Sequence, residues 1–137
     1  MKLIYRELHG YKYETLSVYR VETDIAKYVR SPYITISTEG WLVIHKRYAW
    51  NGTSGPIKDT KENQKPSLVH DAYCQLIREG LLDKKYRKYA DQEFKRMCIE
   101  NGISKFAANC MYIGLRLFGA KGCKPAKKPR GKIVTID

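Results

Sequence analysis

Alternation of apolar and polar residues dominates the first third of the chain. In TLSVYRVE (Thr15 to Glu22) it places Leu16, Val18 and Tyr19 or Val21 toward a sheet. YITISTEGWLVIHK (Tyr33 to Lys46) reads as two strands around Thr38-Glu39-Gly40, a hairpin turn. Ile34 and Ile36 share one face; Trp41, Val43 and His45 alternate with Leu42 and Ile44, so His45 is a strand residue, exposed or hydrogen-bonded. From Asn51 to Pro66 the period breaks among Gly52, Gly55, Pro56 and Pro66, predicting an ordered loop. Loops longer than about 12 to 15 residues inside a compact domain are often functional.

The period then changes to helical. Ser67 is a candidate N-cap for a helix running to Gly80. Asp83 can cap a second helix over 84–101, closed by Gly102, and Ser104 a third over 105–118, closed by Gly119. On the third, Phe106, Cys110, Ile113 and Leu117 form an i, i+4, i+7, i+11 line that predicts a core-facing stripe. The fold class is therefore α+β: N-terminal antiparallel strands followed by three helices, the first two an antiparallel hairpin. A single domain is expected over residues 1–119, with a basic, flexible tail over 120–137.

Composition adds charge to this picture. The chain has 137 residues and a net charge of +12, from 26 Lys plus Arg against 14 Asp plus Glu. Its field attracts polyanions, with nucleic acid and anionic lipid as candidate partners. The run KGCKPAKKPRGK at Lys121 to Lys132 holds no acidic residue. Tyr outnumbers Phe 11 to 3, which suits half-wet surfaces, clefts and interfaces. Cys74, Cys98, Cys110 and Cys123 form no CxxC pair and have no zinc spacing with His9, His45 and His70. The first three fall in helices, where buried reduced thiols are expected. The N-terminal segment has no apolar signal region, and no stretch reaches the roughly 20 apolar residues of a membrane span. A protein made in the cytoplasm is expected.

The candidate chemistry lies in the first two helices. A short turn at 80–83 folds them back on each other and brings a residue near 92–94 opposite His70, within one helical turn of Asp91. A carboxylate bonded to one ring nitrogen of a histidine fixes its tautomer and leaves the other nitrogen free as a general base. Asp71 points about 100° away from His70, toward the side from which the glycine-rich loop enters. There it can join loop carbonyl oxygens in the oxygen-rich coordination calcium prefers. The same residues also admit a structural reading: His70-Asp71 as first-turn capping, and Asp91 paired with Arg87, Lys88 or Lys95 on its own helix.

Four stretches carry a resemblance. YAWNGTSGP (Tyr48 to Pro56), SLVHDAY (Ser67 to Tyr73), YRKYADQEF (Tyr86 to Phe94) and GLRLFG (Gly114 to Gly119) are similar, in this order, to the phage and prophage family called domain of unknown function 1353 (DUF1353). Asn51 stands where that pattern more usually has Asp, and Cys74 follows Tyr73 where its tyrosine usually falls. The resemblance implies a viral or prophage origin, in the host bacterial cytoplasm or the phage virion, with virion components among its partners. HDAY and YADQEF, with His70 and Asp91 separated by 21 positions, also resemble the phospholipase A2 domain of parvovirus capsid proteins. That likeness implies His70 as base, Asp91 as its partner, and Asp71 as a calcium ligand with the backbone at Trp50 and Gly52. It also implies Tyr48, Asn51, Ser54, Tyr73 and Tyr89 as substrate-binding or supporting residues and a phospholipid membrane as target, of which the positive charge would favour an anionic one. Two readings of other classes stand beside it: a non-enzymatic phage structural or host-interaction protein, and a basic nucleic-acid-binding module.

Overall fold

The computed structural model describes residues 1–8, 12–53, 57–123 and 136, and for 121 and 122 the backbone only. The predicted alternation resolves into two antiparallel sheets. The first contains β1 (Tyr5–Glu7), β2 (Tyr13–Thr15) and β7 (Ala49–Trp50), in that order. The second has the order β3 (Tyr19–Glu22), β6 (Trp41–Ile44), β5 (Ile34–Ile36), β4 (Val29–Arg30).

TLSVYRVE is thus two strands, with the break at Leu16 to Val18 carrying the chain from one sheet to the other. The expected hairpin at 38–40 joins β5 to β6. Gly40 takes φ +87°, and a side chain there would meet the Thr23 carbonyl at 2.6 Å, so only glycine fits without strain. Ile34, Ile36, Leu42 and Ile44 are buried together, as the alternation predicts. His45 follows β6, and its backbone N–H donates to the Tyr33 carbonyl.

Thr15 organises the approach to the site. Its hydroxyl donates to the His45 carbonyl and accepts from the Tyr48 N–H, both at 3.0 Å, while Arg47 turns the chain at φ +76°. β7 is thereby set against β2, with Trp50 buried among Tyr5 and Tyr13.

The helices are α1 (Gln64–Arg78), α2 (Arg87–Glu100) and α3 (Lys105–Phe118). α1 starts before Ser67, which shortens the predicted loop. A 3-10 turn at Lys61–Asn63 leads into it, with Asn63 accepting from the Thr60 N–H and donating to the Lys58 carbonyl. Ser67 instead lies inside the first turn, donating to the Gln64 carbonyl and accepting from the Trp50 indole. α1 is closed off at Gly80 (φ +74°), two residues past its last, Arg78, where the Leu81 and Gly80 N–H groups return to the carbonyls of Leu76 and Ile77. Asp83 accepts from the Lys85 N–H and Ser104 from the Ala107 N–H, as expected of caps.

α1 is the central element, buried along most of its length between the sheet residues and α2. α3 contradicts the predicted core stripe: Phe106, Cys110, Ile113 and Leu117 are all exposed. The helix packs on α2 through Ala108 and Leu115, against Phe94 and Cys98, and nothing among the described residues covers its opposite side. The cysteine expectation is also corrected. Cys74 is bonded to Cys123, Cys98 is a buried free thiol and Cys110 an exposed one. The segment after α3 folds back onto α1 through a 3-10 turn at Gly119–Cys123, which spacing along the sequence does not reveal. The greater part of the basic tail lies outside the described residues, as does His9.

Candidate functional site

The helical hairpin brings His70 and Asp91 together as the sequence predicts. His70 Nε2 lies 2.6 Å from Asp91 Oδ1; the histidine is 5% exposed and the aspartate fully buried. The His70 ring stands edge-on to Phe94, at 5.7 Å between centroids. Asp91 Oδ2 accepts from Arg116 of α3 at 2.8 Å and lies 3.8 Å from Arg87. Burial alone would push this carboxyl up, but the His70 hydrogen bond and charge, with Arg116 and Arg87, hold it below the ordinary 3.8. Lys88 and Lys95 are not its partners in the described contacts; Arg87, one turn before it, is. Arg116 was missed as a site residue, although it falls within GLRLFG, whereas Arg87 had been named as a partner of Asp91 only in the structural reading. Arg87 also donates to the Leu115 and Arg116 carbonyls, and so fixes the end of α3 beside the pair.

An ionised Asp91 takes the Nε2 proton of His70 as donor, which leaves Nδ1 as the acceptor nitrogen. Nδ1 faces Cys74 Sγ at 3.8 Å, one helical turn on. Bonded to Cys123, that sulfur has no proton to give, so the contact is packing. Reduction of the bridge would create a thiol donor to the same nitrogen.

Asp71 turns to the other side, where the Asn51 N–H donates to its Oδ2 at 3.4 Å. Desolvation by burial pushes its carboxyl up to about 6, against the lowering influences of His70 and the Asn51 N–H. A carboxylate so poorly served by donors is one that a cation would stabilise, and backbone at Trp50 to Gly52 lies next to it. The backbone atom shown facing Asp71 is the Asn51 N–H, a donor, so Asp71 is the one side-chain ligand that the described contacts there would offer a hard cation. Among the described residues no group of three His, Cys, Asp or Glu side chains gathers there, so backbone oxygens would supply the remaining ligands. The Trp50 side chain is no ligand: it is buried and its indole donates to Ser67.

The loop is organised on Asp59, which sequence reasoning did not single out. Its carboxylate accepts from the Thr53 N–H and hydroxyl and the Tyr13 hydroxyl, each at 2.8 Å, and from Lys12 at 3.0 Å. Burial opposes this charge, yet these donors hold it below 3.8. Gly52 has φ +77°, and a Cβ there would lie 2.5 Å from Asp59 Oδ1, which accounts for the glycine independently of any cation. No adjacent motif marks Asp59; the Thr53 to Asp59 pairing closes a short loop that only the folded chain displays.

Of the supporting candidates, Tyr48 is buried and Asn51 is exposed at the loop. Ser54 lies outside the described residues. Tyr73 and Tyr89 stand edge-on at 5.8 Å, and the Tyr89 hydroxyl accepts from the Asp24 N–H and donates to Glu93. These two tyrosines join the hairpin to the β3 end of the sheet rather than touching His70 in the described contacts. No protein-family model matches the chain, and neither does a curated protein or a solved structure.

Proposed function

We propose that this chain is a phage- or prophage-encoded hydrolase of the DUF1353 type, resembling phospholipase A2 in using a His-Asp pair and calcium on an ester of an anionic phospholipid. The observation that carries the reading is the buried His70–Asp91 pair at 2.6 Å, with Asp71 turned from the same helix toward the Asn51 backbone. In this reading Asp91, itself fixed by Arg116, holds His70 with Nδ1 as the basic nitrogen, and Nδ1 accepts the proton of an attacking water. Asp71 and backbone oxygens near Trp50 and Gly52 would hold calcium, which when bound polarises an ester carbonyl.

A specific observation favours a second reading, that of a non-enzymatic phage protein in which the pair is structural. His70 is enclosed by Phe94 and by the Cys74–Cys123 bridge over Nδ1. The test is calcium-dependent fatty-acid release from anionic phospholipid vesicles, with and without thiol reductant. The hydrolase reading expects turnover that needs calcium and falls at least 100-fold in His70→Ala and Asp91→Asn, about the lower bound of a general base's contribution. No turnover in either redox state, with both variants losing about 3 kcal/mol of stability on breaking a buried pair, would leave the structural reading.

A further inference from the structure

α3 exposes its largest apolar side chains. Phe106 is 81% exposed, Leu117 68%, Phe118 65% and Ile113 49%, while Ala108 and Leu115 face α2. At about 100° per residue, Phe106, Cys110, Ile113 and Leu117 fall within about 60° of one another, diametrically opposite Ala108 and Leu115. The apolar stripe is thus the outward face of the helix, whereas scattered surface apolar residues do not align.

The charged side chains named along one flank of this stripe are basic. α3 contains no acidic residue. Lys105 begins it, Lys95 of α2 lies over the Tyr112 ring and donates to Asn109 along one flank, and exposed Lys88 continues that side of α2. We propose that this face is a lipid-docking surface, with α3 lying in the plane of an anionic bilayer, its stripe among the acyl chains and its basic flank at the headgroups. An apolar face bordered by Lys and Arg is the pattern of helices that bind membrane interfaces.

Other occupants fit less well. A second copy joined through α3 would bring two basic flanks together on molecules of net charge +12. A helix of 14 residues is about 21 Å long and offers far less than the roughly 800 Å² per partner of a standard interface. The chain's own run from Lys121 to Lys132 has the same sign as the flank. The proposal extends the proposed function by naming where lipid is met, but attachment needs no turnover and is measured without it.

The experiment is vesicle flotation in EDTA, comparing phosphatidylcholine alone with a mixture containing about one-third phosphatidylglycerol. Wild type should float with the anionic vesicles only, and the double variant Phe106→Ser/Leu117→Ser should bind at least about tenfold more weakly. Because both side chains are exposed, its circular dichroism and melting temperature should stay those of wild type. In a separate Leu117→Trp variant, fluorescence should shift to the blue when anionic vesicles are added. Unchanged flotation of the serine variant, or no shift of the indole, overturns the proposal. So does a wild-type dimer in sedimentation that the serine variant dissolves, since the face would then belong to a second copy. A chain that attaches through α3 yet releases no fatty acid would sustain this inference and remove the hydrolase.

Discussion

Asp71 and Asp91 are carboxylates at the two sides of one histidine, in opposite surroundings. Asp91 has three cationic or donating neighbours and titrates below 3.8; Asp71 has one long hydrogen bond and is pushed by burial up to about 6. For Asp71 the folded value lies above the unfolded one, so between pH 3.8 and about 6 the native state binds more protons, and stability falls as pH rises through that window. Asp71→Asn should therefore be more stable than wild type at pH 7, by about 2 kcal/mol after allowance for partial exposure, and no more stable near pH 3.5. Urea unfolding at the two pH values checks this; equal differences at both would show that Asp71 is not desolvated. If Asp71 holds calcium as proposed, the same protonation should weaken that binding as pH drops below about 6, and titration calorimetry that finds no calcium uptake at pH 7 would remove the proposed site.

At the scale of the helices, local chemistry was legible. Asp83 and Ser104 cap as read, because a cap needs only a side-chain oxygen and an amide two or three residues on. Ser104→Ala should cost about 1 kcal/mol in thermal or urea unfolding, and a change under 0.3 kcal/mol would deny the cap its role. The start of α1 was misplaced at Ser67 because Asn63, reaching back to Lys58, holds an earlier turn that no local pattern singles out. The stripe of α3 shows the limit of periodicity. It reports that a helix has an apolar face and is silent on whether protein covers that face. The His70–Asp91 encounter was legible because a tight turn between two helices converts sequence spacing directly into proximity. Arg116 was not, since it arrives from a third helix whose docking angle depends on Ala108, Leu115 and Phe94 together.

For the molecule as a whole, the order of strands then helices followed from the change of period near residue 60, whereas the division into two sheets did not. That division depends on the Leu16 to Val18 break and on Thr15 holding the turn at Arg47, contacts between residues about 30 apart. The Cys74–Cys123 bridge was likewise invisible, since four cysteines permit several pairings and the chosen one requires the turn at Gly119–Cys123 to fold back on α1.

That bridge also makes a covalent ring of the segment holding α2 and α3. A pull on the two ends of the chain would pass from Cys74 to Cys123 through the sulfurs, leaving the chain between them, a sequence separation of 49, without tension. At about 3.5 Å per residue, the fully stretched oxidised chain should be shorter than the reduced one by roughly 170 Å. Single-molecule stretching with and without reductant measures the difference, and equal lengths would mean the ring does not close. Asp91 and Arg116 lie in the sheltered loop, so mechanical load on the strands would leave their half of the site at rest.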